Sequence, residues 1–450
     1  MNQNTQSEVA GADIPNPSWG LAQQEPLVDL DWPWASDVVP SWESVRSQFV
    51  LEPDWADFTS FMLSSHPCPL RQAIQLIALQ IDKCPEWAEL SALVPGSLNR
   101  VMRAKSALAR YLGGDPNEFA LAQNTTSGLA LVYNGMDLQR GDRVLISDHD
   151  HYSHHASASR KCEKSGAEID YVSLYDDPSL ARPDDIIDHL VRALTPQTRV
   201  VGLTWVHSGT GVGMPCREAS SAIKAWADSS GVEAPLIVVD GAHGVGVFDI
   251  DLPELGADFI ISGLHKWLNG PRGTGFIWGS QSSWKRVHST IPSFELDETI
   301  FSTWARRQPM PAGQASYVSS GGYVAYEYLF AIPTALRFLE QIGRTRITQR
   351  VHALNQHLRD GLAETPSTAL ASPQHDALNS GIVCFDVVGR NAREVTDRLA
   401  SVKIRAGATP YPRPYARLAA TMTNSEEQIE AAIAAVAQIA GGSGPQETAG

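Results

Sequence analysis

A glycine-rich stretch at residues 262–275, SGLHKWLNGPRGTG, contains a single lysine, Lys266. An ordinary surface lysine needs no such surroundings, whereas a lysine that holds a cofactor aldehyde needs close approach of the backbone and a fixed position. Most lysines are solvated charges, so Lys266 alone is a weak signal. Its chemistry depends on which acidic, hydroxyl and aromatic residues the rest of the chain can bring to it.

An acid at the end of an apolar run is the first candidate partner. An aldehyde cofactor such as pyridoxal 5'-phosphate (PLP) needs a lysine, an acid at its pyridine nitrogen, a phosphate cradle and a flat partner for its ring. Asp240 follows the buried-looking run LIVV, where a carboxylate is costly without a cation, and a pyridinium nitrogen is such a cation. An aspartate at a strand end is more often a helix cap or a loop anchor. Asp240 therefore indicates a cofactor site only in combination with Lys266.

Two further motifs offer a phosphate cradle and a ring partner. Asn124, Thr125 and Thr126 lie between a short strand and an apparent helix, where hydroxyls and free N–H groups converge; an N-cap explains them equally well. The segment SDHDHYSHH (147–155) contains four histidines and raises the possibility of a metal site. No carboxylate and cysteine set completes a recognisable ligand spacing, so stacking of one histidine on a ring is favoured over metal binding.

Strand-like and helical patterns alternate through the middle of the chain. The segments 142–147, 200–206 and 236–242 are apolar runs bounded by turn residues and predict buried strands. The segments 184–194 and 217–231 carry apolar residues at helical spacing and predict amphipathic helices. This order predicts a doubly wound, mainly parallel α/β sheet whose ligands bind beyond the carboxyl ends of the strands.

The pattern changes near residue 315. A long helical stretch, YVAYEYLFAIPTALRFLEQIG, precedes strand-like SGIVCFDVV and VKIRAGA, and Asn424 with Glu427 three residues later predicts the cap of a final helix. We therefore expect a second, smaller α/β domain. The predicted divisions are an N-terminal arm over 1–70, a large PLP-binding domain over 71–315, a small C-terminal domain over 316–442 and a tail over 443–450.

Composition and charge narrow the class of protein. The chain has 450 residues and a formal net charge of -15, so its average surface repels nucleic-acid phosphates and no nucleic-acid partner is expected. Five cysteines without a CxxC pair predict neither a disulfide framework nor a thiolate zinc site. The amino terminus lacks a basic start and an apolar core, and no uncharged apolar run reaches the roughly 18 residues of a spanning helix. We expect a cytoplasmic protein without a membrane segment.

Taken in order, these motifs resemble the class V aminotransferase family of fold-type I PLP enzymes, especially its branch named for isopenicillin N epimerase. The resemblance extends from about residue 60 to 440 and is strongest in LHKWLNGPRGTGF, followed by DGAH and by NTTSGL with GDRVLISDHDHY. It implies a large doubly wound domain with a smaller C-terminal α/β domain, PLP as the cofactor, and a homodimer with shared active sites.

The resemblance also implies roles for the residues around the cofactor ring. Lys266 holds the cofactor aldehyde covalently and is catalytic, and Asp240 pairs with the pyridine nitrogen. His243 lies near the phenolic oxygen, and His151 stacks on the ring.

The same resemblance implies a phosphate site and a substrate site. Thr125, Thr126 and His265 contact the phosphate. The segment ARLAATMTNSEEQI is similar to the Arg-Ile-Ser segment before the family's last helix, which makes Arg417 the candidate for binding a substrate carboxylate. A guanidinium fork suits that task.

Several positions depart from the family pattern. Ser208, in VHSGTGV, stands where many relatives have an asparagine that hydrogen-bonds the phenolic oxygen. The segment SGGYVAYEY replaces the Gly-Thr pair with which the neighbouring subunit usually touches the phosphate, leaving Tyr323, or Ser319 or Ser320, for that contact. No cysteine occupies an obvious loop before Arg417, which disfavours a cysteine-desulfurase mechanism with a persulfide-carrying thiol.

The implied function is that of a PLP-dependent lyase, isomerase or transferase acting at Cα or Cβ of a small-molecule amine, amino acid or amino-acid conjugate in specialised metabolism. Epimerase, C–S lyase and decarboxylating deaminase chemistry are the expected types, with an aminotransferase or a cysteine desulfurase-like enzyme as the alternative. A non-catalytic PLP-binding protein is a rival from another class. A nucleotide-phosphate loop in GPRGTG is a weaker reading, because that segment lacks the GxxxxGK[ST] and GxGxxG orders.

Overall fold

The computed structural model describes residues 32–35, 37–88, 99–295, 298–310 and 312–441. The predicted tail over 443–450 and the first 31 residues of the predicted arm lie outside this part of the chain. The four predicted domain divisions stay predictions.

Strands are distributed along the whole described chain. They are β1 (Ala56–Asp57), β2 (Phe119–Ala122), β3 (Arg143–Ser147), β4 (Glu168–Val172), β5 (Thr198–Thr204), β6 (Leu236–Asp240), β7 (Phe259–Gly263), β8 (Gly275–Gly279), β9 (Thr368–Leu370), β10 (Val383–Val387), β11 (Ile404–Arg405), β12 (Gly407–Ala408) and β13 (Ala416–Leu418).

Helices connect and cover these strands. They are α1 (Trp42–Ser47), α2 (Cys68–Lys83), α3 (Arg100–Leu112), α4 (Thr125–Gly135), α5 (Tyr152–Ser165), α6 (Pro183–Arg192), α7 (Cys216–Ser230), α8 (Gln281–Trp284), α9 (Glu298–Ala305), α10 (Ala315–Val318), α11 (Tyr326–Leu329), α12 (Ile332–Ile342), α13 (Arg344–Glu364), α14 (Ala392–Ser401) and α15 (Glu426–Gly441).

The main sheet has seven strands in the order β2-β8-β7-β6-β5-β3-β4. Its pairs from β7 through β6, β5 and β3 to β4 are parallel, and only β8 runs antiparallel to its neighbours β7 and β2. Two clusters of buried apolar side chains contain residues of alternating positions along these strands, as expected for a sheet with helices on both faces. The predicted mainly parallel α/β class is confirmed.

Parallel pairing places the loops that contain the candidate site residues at one edge of the main sheet. The carboxyl ends of β3, β5, β6 and β7 adjoin in the sheet, and each is followed by residues that the sequence analysis selected. The predicted strands over 142–147, 200–206 and 236–242 correspond to β3, β5 and β6 within two residues at each end. Long apolar runs therefore predicted the strands well, since burial on both faces requires them.

A second sheet, of order β12-β13-β10-β9, forms near the C-terminus with α13, α14 and α15 packed on it. Strand β1 pairs in parallel with β11, so residues 56–57 join this part of the chain although they precede the main sheet in sequence. The neighbouring side chain Phe58 lies in the same core cluster. The Phe58 carbonyl accepts a hydrogen bond from the Ala419 amide, and the Ser64 amide donates a 2.9 Å hydrogen bond to the carbonyl of His265, next to Lys266. This amino-terminal segment therefore contacts both the C-terminal part of the chain and the loop after β7.

The long helical stretch expected over YVAYEYLFAIPTALRFLEQIG is not one helix. It consists of the short α11 and the separate α12, which has proline in its first turn. Pro333 lacks an N–H group and its ring clashes with the preceding turn, so proline is accommodated at a helix start but not in a helix interior. The prediction that this stretch is helical is confirmed, and the prediction that it is one continuous helix is wrong.

Among the described residues, none of the helices combines the length and the apolar character needed to cross a membrane.

Candidate active site

The lysine selected from the sequence sits in the turn that follows β7. Lys266 Nζ lies 3.0 Å from His243 Nε2, and Trp267 Nε1 donates a hydrogen bond of 3.3 Å to His243 Nδ1. Because Nδ1 accepts from the indole, neutral His243 carries its proton on Nε2 and donates it to the amine of Lys266. This geometry requires a lone pair on the lysine nitrogen and so favours the neutral, nucleophilic amine.

Electrostatics favour the same state of the lysine. The pKa of Lys266 is lowered to about 8, chiefly by burial; Asp240 opposes this change and Arg417 adds to it. Burial and the nearby charge of Lys266 also hold the pKa of His243 well below its usual value, so this imidazole stays neutral. A lysine whose amine is partly deprotonated near neutral pH is suited to attack an aldehyde.

Asp240 is a buried carboxylate at the carboxyl end of β6. Its side chain is 3% exposed, and Oδ1 accepts a 3.0 Å hydrogen bond from the amide of Ala242. Burial raises the pKa of Asp240, although the Ala242 amide and Lys266 oppose that change. Among the described residues no lysine, arginine or histidine forms an ion pair with it. A protonated ring nitrogen would supply the missing cation.

A cradle of backbone N–H groups lies at the start of α4. Asn124 caps this helix by accepting from the Ser127 amide, and Thr125 Oγ1 accepts a 2.9 Å hydrogen bond from the amide of Gly263. His265 Nδ1 is buried and has no hydrogen-bond partner, and its ring packs so closely on Gly263 that a Cβ there would lie 2.7 Å away. A helix N-terminus beside an unpartnered imidazole nitrogen fits a phosphate group.

His151 occupies the loop between β3 and α5. It is the N-cap residue of α5, and its Nδ1 lies 2.8 Å from Ser153 Oγ. Burial, Lys266, His155 and Arg417 together lower the pKa of His151 to about 4. The ring is therefore neutral at physiological pH and is held by a local hydrogen bond, as a stacking partner for an aromatic cofactor needs to be.

Ser208, Tyr411 and Arg417 meet on the opposite side of this edge. Ser208 Oγ lies 2.8 Å from the hydroxyl of Tyr411, and the carbonyl of Ser208 accepts a 2.6 Å hydrogen bond from Arg417. Gly209 allows the close approach, since a Cβ there would lie 2.8 Å from the Tyr411 ring. Residues about 200 positions apart in sequence thus form one hydrogen-bonded group.

Arg417 lies on β13, is 5% exposed and has a buried Nε without a hydrogen-bond partner. Its guanidinium lies 4.6 Å over the ring of Phe61, and one of its terminal nitrogens is 3.8 Å from Met62 Sδ. No acidic residue in the described part of the chain forms an ion pair with it. A buried arginine without a counter-ion is costly unless a ligand brings an anion.

Other predicted site residues are exposed or lie near the edge strand of the main sheet. Thr126 is exposed in the first turn of α4, and Tyr323 is 76% exposed with its ring 6.3 Å from Tyr326. Ser319 is buried, and its hydroxyl accepts a 2.9 Å hydrogen bond from the Leu121 amide of edge strand β2. Within one chain, Lys266 therefore lies among buried residues that follow the ends of the main-sheet strands, whereas Tyr323 faces outward.

Three contributors were missed from the sequence. These are Trp267, Phe61 and Tyr411, none of which the sequence analysis selected; Tyr411 lies in a proline-containing segment. The position of Trp267 next to Lys266 was the one available signal. Phe61 and Tyr411 are far from Lys266 in sequence, so only the fold brings them to the site.

The described residues contain no group of three or more His, Cys, Asp or Glu side chains arranged to hold a metal ion. The five cysteines are all unpaired, and Cys162, Cys216 and Cys384 are buried.

Together these features fit PLP. A nucleophilic amine, a buried carboxylate that lacks a cation and an N–H cradle with an unpartnered imidazole nitrogen match its aldehyde, its pyridine nitrogen and its phosphate. Each match rests on a polar group of the chain that has no partner or an incomplete set of partners.

Comparisons with known proteins agree with this chemistry. The family model of aminotransferase class-V matches residues 92–431. The isopenicillin N epimerase of Streptomyces clavuligerus is 28% identical over 408 residues, which cover 87% of this chain and 96% of that protein. A cysteine desulfurase of Klebsiella pneumoniae (strain 342) is 26% identical over 360 residues, covering 76% of this chain and 82% of that protein.

Solved structures share the fold. The cystine C–S lyase C-DES, in complex with its product cysteine persulfide, has a TM-score of 0.75 at 20% identity and covers 86% of this chain and 98% of that one. The apo cysteine desulfurase from Thermococcus onnurineus NA1 has a TM-score of 0.74 at 19% identity, covering 90% and 99%. The resemblance, the cofactor and the enzyme class expected from the sequence are confirmed, and the chain belongs to the class-V aminotransferase family of PLP-dependent, fold-type I enzymes.

Proposed function

We propose that this enzyme binds an amino acid or amino-acid conjugate through its α-carboxylate and moves a proton at Cα, in specialised metabolism. Arg417 binds the carboxylate and Lys266 transfers the proton. Epimerisation or C–S cleavage follows when the Cα–H bond is aligned for cleavage. In decarboxylating deamination the bond from Cα to the carboxylate breaks instead and carbon dioxide leaves. The 28% identity to an isopenicillin N epimerase over nearly its whole length supports Cα chemistry of this kind.

The state of Arg417 is the observation that carries the proposal. Its guanidinium is buried, has no acidic partner among the described residues, and keeps one nitrogen without a hydrogen bond. Burial lowers the pKa of Arg417, which reflects how poorly its charge is compensated. A substrate carboxylate would supply both the counter-charge and the missing acceptor, in the bidentate geometry that arginine favours.

Lys266 is placed to act as the acid–base group. Phe61 links the two groups, because its ring lies 5.8 Å from the ring of His243, the neighbour of Lys266, and 4.6 Å from the Arg417 guanidinium. We therefore expect a carboxylate bound at Arg417 to place its neighbouring carbon towards the Lys266 amine. PLP, when bound, supplies an electron sink for the negative charge that develops at Cα. The pKa of about 8 lets Lys266 both accept and return a proton near neutral pH.

We also propose the cofactor contacts that the family resemblance implies. Asp240 would hold the pyridine nitrogen, His151 the ring face, and His243 and Ser208 the region of the phenolic oxygen. Thr125, Thr126 and His265 would hold the phosphate. Tyr323 faces outward, which supports a role in contacting the phosphate bound by a second copy of the chain. The enzyme would then be a homodimer with shared active sites. We expect it in the cytoplasm.

A cysteine-desulfurase function is less well supported. That chemistry needs a reactive thiol at the site, and the cysteine nearest to Arg417 is Cys384, its register partner on β10. Cys384 is fully buried, and burial raises its pKa to about 12, so it is neither accessible nor ionised.

Incubation of the holoenzyme with amino acids and S-conjugates in D2O tests the proposal. We expect deuterium at Cα of a substrate, and the accompanying inverted amino acid, thiol, keto acid or carbon dioxide identifies the reaction. Arg417→Lys should reduce kcat/KM by roughly 100-fold, because a point charge replaces a bidentate fork. Arg393→Lys, an exposed arginine on α14, is the matched control and should have no effect. Equal activity of the Arg417 variant and the control would contradict the proposal.

A further inference from the structure

Two buried titratable groups face each other directly behind the site. His207 Nε2 and Asp150 Oδ1 are 3.8 Å apart, and their side chains are 1% and 0% exposed. Neither atom has a hydrogen-bond partner within the described residues. The gap is too short to hold a water molecule between them and too long for a hydrogen bond, so a shift of under about 1 Å would close it.

A chain of hydrogen bonds reaches the other nitrogen of His207. The Thr210 and Tyr175 hydroxyls are 2.9 Å apart, and the Tyr175 hydroxyl lies 2.8 Å from His207 Nδ1. The Asp150 carboxylate, which only accepts, lies opposite Nε2 and favours the order in which Thr210 donates to Tyr175 and Tyr175 donates to His207 Nδ1. With Nδ1 accepting, neutral His207 carries its proton on Nε2, aimed at the Asp150 carboxylate.

Each member of the pair is fixed to its own loop. Asp150 Oδ2 accepts a 2.9 Å hydrogen bond from the Ser147 amide at the end of β3. The backbone of His207 accepts a 2.7 Å hydrogen bond from the Gly211 amide and donates one to Val212 in the turn after β5. A change in the separation of the two side chains therefore moves the loops and not the side chains alone.

The next residue along the chain from each partner is a candidate site residue. Asp150 precedes His151, and His207 precedes Ser208. The pair thus connects the loop that carries the ring partner to the turn that carries the contact of Tyr411 and Arg417.

The surroundings of the pair determine how it responds to pH. Burial raises the pKa of Asp150 to about 6, opposed by Thr204, by the Ser147 amide and by His155. Burial and His149 hold the pKa of His207 well below its usual value. The other titratable groups in electrostatic contact with Asp150 or His207 are Tyr133, His149, His155, Tyr175, Cys216, Asp240 and Tyr411.

We propose that Asp150 and His207 are a positioning pair, in which the N–H of His207 and the carboxylate of Asp150 attract each other and so hold the spacing between His151 and Ser208. Well above pH 6 the carboxylate is charged and the attraction is at its strongest. As the pH falls through about 6, Asp150 gains a proton, the contribution of its charge to the attraction is lost and the two loops separate. This inference rests on the proposed function only in naming His151 and Ser208 as site residues.

Histidine NMR of the cofactor-free full chain tests the pair itself. We expect a His207 Nε2–H resonance that shifts with a midpoint near 6 in the wild type and is flat in Asp150→Asn. Asp148→Asn, an exposed acid in the same loop, is the matched control and should leave the midpoint unchanged. An Nδ1–H tautomer, or a midpoint that survives in Asp150→Asn, would overturn the inference whether or not the proposed function is correct.

Visible circular dichroism of the PLP-bound enzyme tests the positioning. The ring signal should weaken several-fold between pH 7.5 and 5.5 in the wild type, and should be weak at both pH values in Asp150→Asn and in His207→Phe, which has no N–H donor on its ring. If Asp150→Asn does not fold, His207→Phe and the wild-type titration test the proposal. A ring signal that is as strong and as pH-dependent in His207→Phe as in the wild type would reject a positioning role.

Discussion

Lys266 Nζ accepts a 3.0 Å hydrogen bond from His243 Nε2, because the other nitrogen of His243 accepts one from the indole N–H of Trp267. The residue that follows the lysine in sequence therefore influences the protonation state of that lysine through a histidine 23 positions earlier. Burial lowers the pKa of Lys266 to about 8, and this hydrogen bond favours the same neutral, reactive amine.

Capture of PLP by the cofactor-free protein should follow the neutral fraction of Lys266. We expect the rate of appearance of the visible band to rise with pH and to reach half its maximum near pH 8, because burial lowers the pKa of Lys266 to about 8. Lys266→Ala should form no borohydride-sensitive band, whereas Lys83→Ala, an exposed lysine on α2, should behave as the wild type. A midpoint near the usual lysine value of 10.5 would contradict the assignment.

Removal of the indole N–H should make Lys266 harder to deprotonate. In Trp267→Phe the His243 ring is free to place its proton on Nδ1 and to accept from a protonated Lys266, so the capture midpoint should move to higher pH. A single neutral hydrogen bond is worth on the order of 1 kcal/mol, which limits the size of the effect. Trp284→Phe removes a different buried indole N–H, the donor to the Glu118 carbonyl, and should leave the midpoint where it is. The same midpoint in both variants would show that the relay has no role.

Asp240 should reduce the stability of the cofactor-free protein at neutral pH. Its folded pKa is raised by burial, so its charge costs nothing below the unfolded value near 4 and costs most above the folded value. Asp240→Asn keeps an acceptor for the Ala242 amide and should raise the free energy of unfolding by roughly 1 to 3 kcal/mol at pH 8, with little change at pH 4.

Urea unfolding of the apo protein at both pH values measures this difference, and equal effects at pH 4 and pH 8 would refute it. The same variant should bind PLP about 10- to 100-fold more weakly, because an amide cannot neutralise a pyridinium ion. Stability and cofactor affinity are thus expected to change in opposite directions.

Tyr411 should contribute to substrate binding through Ser208. Tyr411→Phe removes the 2.8 Å hydrogen bond to Ser208 Oγ and should raise KM about 3- to 10-fold with kcat nearly unchanged, since the contact lies on the carboxylate side of the site. Tyr415→Phe, in the same segment, is the control. A lower kcat with an unchanged KM would place Tyr411 at the proton-transfer step instead.

Prediction from sequence succeeded where burial leaves a pattern in the chain. Strands β3, β5 and β6 are apolar on both faces, so their position and the location of Asp240 at a strand end follow from the residue types. Lys266 could be selected because glycines surround it. Pro333 was visible in the sequence, but the apolar periodicity on both sides of it hid the break between α11 and α12.

The sequence by itself determined the mainly parallel α/β class and the family, and it selected Lys266 and Asp240 as candidates for the centre of the chemistry, because local composition and strand-end position carry that information. Tertiary structure decided that Trp267 orients His243, that Tyr411 meets Ser208, that Arg417 is buried without a counter-ion, and that His207 faces Asp150. Except for the indole next to Lys266, these contacts join segments far apart in the chain. The direction of a hydrogen bond and the absence of a counter-ion depend on distances between side chains in the folded protein. Contacts between distant segments leave no local pattern in the sequence from which they could be predicted.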